Sequence, residues 1–445
     1  MYFANPKAFA RPLRKLLRSY LLSVTVGDIM LGEVADHLCV NDLDRGLSDK
    51  ERIRAAADIG FTDTVDDAIE NIWEDPEGLI PYSALCDLYD PEGLWKALMK
   101  EIEEHTHFYD ASLVTKNPYY IHVHAPEAKS GTIELGTTDY LGGEFFQTYH
   151  QGYSAKRPFG YADIGFFDER VAFPVIRENG HVWMSVVMSE IESMEEPLAR
   201  AHGKVITYGL GLGYYAFMAA EKKEVESVTV VEMNPHVISL FKTHLLPQFP
   251  HKEKIHIIEA DAMDFIREQN DGAYDVAFAD FWGGVSDGLS LYLRFMPLTA
   301  RFQRTLHEFW IESCFLEYHF RPVMLKVLLD MGLSYPLVLP ETGQSERRIQ
   351  KAFSRFLKQW DYTIETEEDL AYLLTNDCLI RLMHQFAIEY TRDEWPVIGC
   401  MVTCRIRASP VCVCGRAHRS PWPSVSMERL PKGQTLHPAS NDLKY

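Results

Sequence analysis

The sequence contains no apolar run of about 18 residues, the minimum that a membrane-spanning helix requires. We therefore expect no membrane association. Basic residues near the N-terminus precede Leu21 and Leu22, but Gly27-Asp28 interrupts the apolar run and no convincing cleavage site follows. This pattern argues against a signal peptide, and it predicts a cytoplasmic protein.

Basic residues are scarce in this chain. The 445 residues include 44 Lys and Arg against 64 Asp and Glu, which gives a formal net charge of −20. Proteins that bind nucleic-acid phosphates without sequence preference use clustered Lys and Arg, and an anionic membrane surface also attracts basic segments. The sum of charges therefore predicts no nucleic-acid partner, although it leaves a local basic patch open.

Paired metal-ligand spacings are also missing. The run from Cys400 to His418 reads C-x3-C-x7-C-x-C-x3-H, which lacks the C-x2-C pairs of a zinc site. His122 and His124 alternate within a strand-like segment, 119–124, and would share one face, but a third ligand is not evident. We expect no metal. The other cysteines are isolated, as is typical of reduced thiols in the cytoplasm: Cys39, Cys86, Cys314 and Cys378.

The most informative stretch runs from Lys204 to Asp280. Residues 205–208 are apolar and β-branched enough to predict a buried strand, and residues 214–223 predict a helix. Between them lie Gly209, Gly211 and Gly213. A dinucleotide fingerprint, Gly-x-Gly-x-x-Gly, would need a third glycine where Tyr214 stands, so the pattern disfavours a nicotinamide-dependent enzyme.

Three more predicted strands each end in a polar residue. The strand at 228–231 precedes Glu232, the strand at 255–258 leads to Asp261, and the strand at 273–279 precedes Asp280. Ligands of open α/β sheets bind beyond the carboxyl ends of the strands, and an acid about 20 residues past the glycines is placed to bind ribose hydroxyls. The pattern predicts a nucleotide-type site.

With these motifs, residues 180–335 resemble class I S-adenosylmethionine-dependent methyltransferases and the related spermidine synthase family. The resemblance implies a Rossmann-like sheet and S-adenosyl-L-methionine as cofactor, with the glycine loop under the methionine part and Glu232 at the ribose. It places Asp261 at adenine and Asp280 at the reacting centre, as the candidate catalytic residue. The implied cofactor-binding residues are Tyr208, Gly209, Gly211, Gly213, Glu232, Met233, Asp261, Ala262 and Asp280.

The sequence departs from both branches of this resemblance. Thr207 stands where methyltransferases usually carry an acid, and Leu210 and Leu212 fill the loop where spermidine synthases carry an aspartate. After Asp280, the next acid is Asp287. We therefore expect methyl transfer to an acceptor that the sequence does not identify, either a small-molecule acceptor or a protein. The alternatives are aminopropyl transfer to a polyamine and a non-catalytic scaffold that keeps the nucleotide fold.

Alternating strand and helix patterns predict an α/β protein with a Rossmann-like core and helical additions at both ends. The predicted local elements include amphipathic segments at 13–22 and 28–38, a tight turn at Asn179-Gly180 in a region rich in glycine and aromatic residues, a helix at 289–295 capped by Asp287, a fifth strand at 309–312 and a helix cap at Thr366 and Asp369. Trp183 and Met184 come just before the helix that leads into the core, which could place them near the pocket. A homodimer is left open. The predicted units are a helical domain at 1–130, a small β-rich segment at 131–192, the cofactor domain at 193–335, a helical appendage at 336–407 and an irregular tail at 408–445.

Overall fold

A computed structural model describes residues 1–44, 48, 50–51, 62–74, 83–149, 158–160, 163–335, 337–339 and 342–394. The predicted tail at 408–445 and the cysteine cluster that begins at Cys400 lie outside the described residues. The chain is a mixed α/β protein with a parallel Rossmann-like sheet, as predicted. Within the described ranges, no helix combines the length and the apolarity needed to cross a bilayer.

The region before the sheet is mainly helical. One long helix, Ala10–Asp44, replaces the two amphipathic segments predicted at 13–22 and 28–38. Asp90 caps the helix Pro91–Glu104 by accepting a hydrogen bond from Gly93 N at 2.6 Å. The strand predicted at 119–124 is wrong, because Asn117 caps a short helix that Pro118 begins. The elements are β1 (Tyr2–Phe3), α1 (Ala10–Asp44), α2 (Thr62–Glu74), α3 (Ser83–Cys86), α4 (Pro91–Glu104), β2 (Thr106–Tyr109), α5 (Ser112–Thr115) and α6 (Pro118–His122).

Two small sheets follow, as the glycine-rich and aromatic composition of this region predicts. Asn179 and Gly180 both have positive φ, at 53° and 82°, and they form the predicted tight turn between two antiparallel strands. The strand orders are β3-β4-β7-β8 and β2-β6-β5. The new strands are β3 (Ala128–Ser130), β4 (Ile133–Tyr140), β5 (Phe146–Gln147), β6 (Ile164–Phe167), β7 (Val171–Glu178) and β8 (His181–Ser185).

The central sheet has five parallel strands in the order β11-β10-β9-β12-β13. The fifth strand ends at Phe309 instead of continuing through the predicted 309–312, because Ile311 adopts a left-handed conformation with φ of 51°. The elements are α7 (Met188–Arg200), β9 (Gly203–Tyr208), α8 (Tyr214–Glu221), β10 (Val225–Glu232), α9 (Pro235–Leu240), β11 (Ile255–Glu259), α10 (Ala262–Glu268), β12 (Val276–Ala279), α11 (Val285–Thr299) and β13 (Leu306–Phe309).

Helices dominate the described residues after this sheet. Thr366 and Asp369 form the expected capping box. Strand β1 pairs with the short strand at 363–364, with Phe3 opposite Ile364, so the start of the chain and the region after the sheet share one hydrophobic core. The remaining elements are α12 (Glu312–Phe315), a π-helical turn (Leu316–Phe320), α13 (Arg321–Gly332), α14 (Gln344–Gln359), β14 (Thr363–Ile364), α15 (Glu367–Tyr372) and α16 (Asn376–Glu394).

Candidate active site

The glycine loop connects β9 to α8 at the carboxyl edge of the central sheet. Gly209 has φ of 106°, and a Cβ at this position would overlap the backbone carbonyl oxygen of Asp280. Gly213 has φ of 75°, and a Cβ there would overlap the ring of Phe241. Larger residues would be strained at both positions, so glycine is what allows the loop backbone to lie directly against the end of β12.

Side chains from the preceding region hold this loop from outside. The Tyr119 hydroxyl donates to the Leu212 carbonyl at 2.8 Å, and Asn117 Nδ2 donates to the Tyr214 hydroxyl at 3.0 Å. The sulfur of Met184 lies against Gly211, so Met184 packs beside the glycine loop. Tyr119 and Asn117 were not among the predicted site residues, because the segment that carries them reads as a strand in the sequence.

Glu232 ends β10 and turns its carboxylate toward the glycine loop. Its Oε2 accepts a hydrogen bond from Leu210 N at 3.1 Å, and its Oε1 accepts one from Asn234 N at 2.8 Å. Burial raises the pKa of Glu232, while these backbone donors oppose the shift. Since a carboxylate can accept about four hydrogen bonds, Glu232 retains capacity for a ribose hydroxyl beside its backbone donors. The neighbouring Met233 side chain is 66% exposed.

The end of β11 lies beside Glu232. Ala260 N donates to the Glu232 carbonyl at 3.0 Å, and Asp261 caps α10 by accepting from Asp264 N at 3.0 Å. Ala262 is the first residue of α10 and is buried. Asp261 therefore has a local capping role in addition to any ligand contact.

Tyr208 contributes its backbone to the site. Its carbonyl accepts from Asp280 N at 2.7 Å, whereas its ring packs in the core, 5.0 Å from the Phe295 ring centroid. The Thr207 hydroxyl donates to the Gly209 carbonyl at 3.4 Å.

Asp280 follows β12 and lies among buried acids. Burial, reinforced by the negative charge of Glu232, raises the pKa of Asp280 to about 7. Glu190, in the first turn of α7, is buried as well, and its pKa is raised by burial and then by the charge of Asp280. Neither shift is offset by a Lys or Arg among the described residues. The site is thus rich in carboxylate and poor in protein cations, which suits a cationic ligand.

The loop after Asp280 carries two aromatic residues. Phe281 packs against Phe295 with ring centroids 5.0 Å apart, and Trp282 covers Gly288 at the start of α11. Trp282 Nε1 is buried and has no hydrogen-bond partner among the described residues. Asp287 accepts from Gly283 N at 2.8 Å, inside the first turn of a helix that begins earlier than predicted, at Val285. The loop is therefore anchored at both ends.

A second polar cluster lies on the other side of α7. The Asp163 carboxylate lies 2.5 Å from His105 Nδ1 and 2.6 Å from His107 Nε2, and donation from His107 to this carboxylate raises the pKa of His107. Glu192 accepts from Tyr149 N at 2.9 Å, and burial raises its pKa to about 7. Among the described residues, no group of three or more His, Cys, Asp and Glu side chains has an arrangement suited to a metal ion.

No protein-family model matches this sequence, and no curated protein matches it. Solved structures with partial likeness include a probable spermidine synthase from Corynebacterium glutamicum (18% identity, TM-score 0.24, covering 29% of this chain and 52% of that one). They also include spermidine synthase from Thermotoga maritima (14% identity, TM-score 0.23, covering 36% and 62%). A third is the Trypanosoma brucei PRMT1 enzyme–prozyme complex with AdoHcy (16% identity, TM-score 0.21, covering 27% and 36%).

The match therefore spans less than two thirds of either spermidine synthase structure. Likenesses with identities and scores this low carry no conclusion about activity, since one fold hosts many functions.

Proposed function

We propose that this protein is an S-adenosyl-L-methionine-dependent methyltransferase that acts on a small-molecule acceptor. The observation that carries the proposal is the group of three acids, Glu190, Glu232 and Asp280, beside a glycine loop at the carboxyl edge of a parallel sheet. The cofactor brings a positive sulfonium and an ammonium group, and carboxylates buried without a protein cation favour such charges.

The residues divide into a binding set and a reacting set. Glu232 would accept hydrogen bonds from the ribose hydroxyls, Asp261 and the adjacent Ala262 would bind adenine, and the loop backbone at Gly209, Gly211 and Gly213 would lie beneath the methionine part. When bound, the cofactor would supply an electrophilic sulfonium methyl group: the acceptor would bond to the methyl carbon in line as the carbon–sulfur bond breaks, and S-adenosylhomocysteine would leave as a neutral thioether. Asp280 would receive the proton that the acceptor nucleophile loses, a role suited to a carboxyl group with a pKa of about 7.

A second candidate function, aminopropyl transfer to a polyamine, has one observation in its favour. Sequence reasoning found no acid close after Asp280, but Glu190 lies near enough for its pKa to respond to the Asp280 charge. Two neighbouring carboxylates suit a substrate with more than one ammonium group. Methyl transfer remains the first proposal, because a single acceptor amine requires only one of these acids.

Replacing Glu232 tests the cofactor assignment. Glu232→Gln should lower the affinity for S-adenosylhomocysteine by about tenfold or more, because a hydrogen bond to a charged group contributes about 1.5–3 kcal/mol. Isothermal titration calorimetry on the full chain measures this.

The matched control is Glu259→Gln, since Glu259 is the register partner of Glu232 on β11 but is exposed. The control should bind as the unmodified protein does. Equal affinities for all three proteins, with the Glu232 variant fully folded, would remove the ribose role.

A further inference from the structure

Helix α14 carries a straight line of positive charge on its outer face. Arg347, Lys351, Arg355 and Lys358 are all exposed, and their spacings of four, four and three residues place them on one side of the helix. None of the four forms a salt bridge or a side-chain hydrogen bond within the part of the chain that the structure describes. We call these four residues the cationic stripe.

The opposite face of α14 fixes the orientation of the stripe. Ile349, Phe353 and Leu357 are buried, and the Phe353 ring lies 4.7 Å from Phe320 and 5.2 Å from Phe386, centroid to centroid. The helix therefore cannot rotate without exposing its apolar face. For the same reason that face is unavailable for insertion into a bilayer, which is how an amphipathic helix binds a membrane.

The stripe stands out against the charge of the whole chain. The helix contains five Lys and Arg and one acid, Glu346, although acids outnumber bases in the full sequence by 64 to 44. A second basic segment lies at the start of the chain. It is close to α14 in space, because β1 pairs with β14 and β14 follows shortly after the end of α14. Residues 1–27 contain no acid, and their exposed basic residues are Lys7, Arg11, Arg14, Lys15 and Arg18.

The chemistry of this surface selects among polyanionic partners. Stable protein interfaces have an apolar, desolvated centre, but α14 exposes no large hydrophobic residue. Phosphate recognition needs only positive charge, because the gain comes from counterion release. A helix rises about 6 Å in four residues, so the stripe presents evenly spaced cations over roughly 16 Å. We propose that the cationic stripe binds the phosphate backbone of a nucleic acid.

This proposal departs from the expectation drawn from net charge. A sum over the sequence cannot show that acids and bases are segregated in space, whereas the fold gathers these cations on one helix. Aromatic contacts connect the helix that carries the stripe to the candidate active site. Phe353 contacts Phe320 in the π-helical turn, and Phe315 just before that turn lies 5.9 Å from the Trp282 ring. A nucleic acid bound to the stripe would be separated from the loop after Asp280 by one layer of helices.

Fluorescence anisotropy with a labelled 20-nucleotide single-stranded RNA tests the proposal, with the full chain titrated at several salt concentrations. Four phosphate contacts predict a slope of log K against log salt of about −3 from the stripe alone. The test variant replaces all four stripe residues: Arg347→Gln, Lys351→Gln, Arg355→Gln and Lys358→Gln. It should bind the RNA at least tenfold more weakly at low salt, and its slope of log K against log salt should be less steep by about 3.

The matched control removes the same charge elsewhere, with Lys116→Gln, Lys223→Gln, Lys242→Gln and Lys252→Gln, all exposed. It should retain both affinity and slope. Equal losses in the two variants, or no RNA binding at low salt, would overturn the proposal. Stripe-dependent binding to phosphatidylserine vesicles or to a polyglutamate peptide in place of RNA would also overturn it. S-adenosylhomocysteine affinity should be the same in both variants, which separates this test from that of the cofactor site.

Discussion

Asp280 and Glu190 illustrate how residues far apart in sequence define one electrostatic environment. Asp280 leaves the sheet at the end of β12, whereas Glu190 enters from the first turn of α7. Because Glu190 is buried, Asp280 is half-buried and each lies close to another acid, the charged forms are disfavoured. The apoprotein therefore stores an electrostatic penalty that a cationic ligand would relieve.

The pH dependence of stability tests this environment at Asp280. The folded-state pKa of about 7 lies above the ordinary value, so folding favours the protonated acid. Its contribution to the free energy of unfolding is greatest below about pH 4 and is lost as the pH rises through 7. Asp280→Asn keeps the neutral form, and it should be more stable than the unmodified apoprotein at pH 8, on the order of 2–4 kcal/mol, with little difference at pH 4.

Urea unfolding at the two pH values measures the effect. Asp264→Asn serves as the control, since Asp264 is an exposed acid paired with Arg267. The same pH trend in both variants, or a loss of stability at pH 8 in Asp280→Asn, would contradict the assignment.

Sequence reasoning found the site residues whose position is tied to a strand end. Glu232 and Asp280 follow apolar β-branched runs directly, so the sheet places them at its carboxyl edge. Glu190 was missed because α7 carries several acids, and periodicity alone does not reveal which of them faces a neighbouring strand. Tyr119 was missed because its role is a hydrogen bond to a loop carbonyl 93 residues away.

At the scale of elements, the glycine loop depends on helix α6, which packs outside it. The Tyr119 hydroxyl is buried and donates to the Leu212 carbonyl, while the Tyr119 ring packs against Tyr214 and Phe217. The loop is therefore held in place by a segment that precedes the central sheet in sequence.

Tyr119→Phe removes this hydrogen bond and leaves the ring in place. We expect a loss of about 0.5–1.5 kcal/mol in the free energy of unfolding, and a weaker affinity for S-adenosylhomocysteine because the loop carbonyl loses its donor. Isothermal titration calorimetry measures the affinity for S-adenosylhomocysteine, and urea unfolding measures the free energy of unfolding. Tyr2→Phe on β1, where the tyrosine is exposed, is the control and should change neither. Unaltered binding in a Tyr119→Phe variant would show that α6 does not shape the loop.

Elements with a clear periodic pattern could be predicted from the sequence, and irregular ones could not. The strands at β9 to β12 were found because each is a short apolar run that alternates with a helix. The end of β13 was misplaced because the left-handed Ile311 is a backbone conformation that β-branched residues rarely adopt. Helix α6 was misread because Tyr119, Tyr120 and Ile121 favour strands intrinsically, while Asn117 and Pro118 initiate a helix.

At the scale of the whole molecule, the regions that differ in composition share one core. Strand β1 pairs with β14, and Leu13 and Phe3 pack against Gly332 in α13. Composition separates a helical N-terminal region from the sheet and from a helical appendage, and these boundaries stay predictions. Contacts between residues far apart in sequence have no local sequence signal. The pairing of β1 with β14 and the position of the cationic stripe could therefore be found only from the fold.

The central claim is that the carboxyl edge of the sheet binds S-adenosyl-L-methionine, and the thermal stability of the full chain tests it most directly. S-adenosylhomocysteine, methylthioadenosine and NAD would each be added in turn. A ligand that binds only the folded state, at about 100 times its dissociation constant, adds about 2.7 kcal/mol to the free energy of unfolding. We predict a rise in melting temperature with S-adenosylhomocysteine and none with NAD. A larger rise with methylthioadenosine would favour aminopropyl transfer, and no rise with any of the three would contradict the claim and leave the fold as a scaffold.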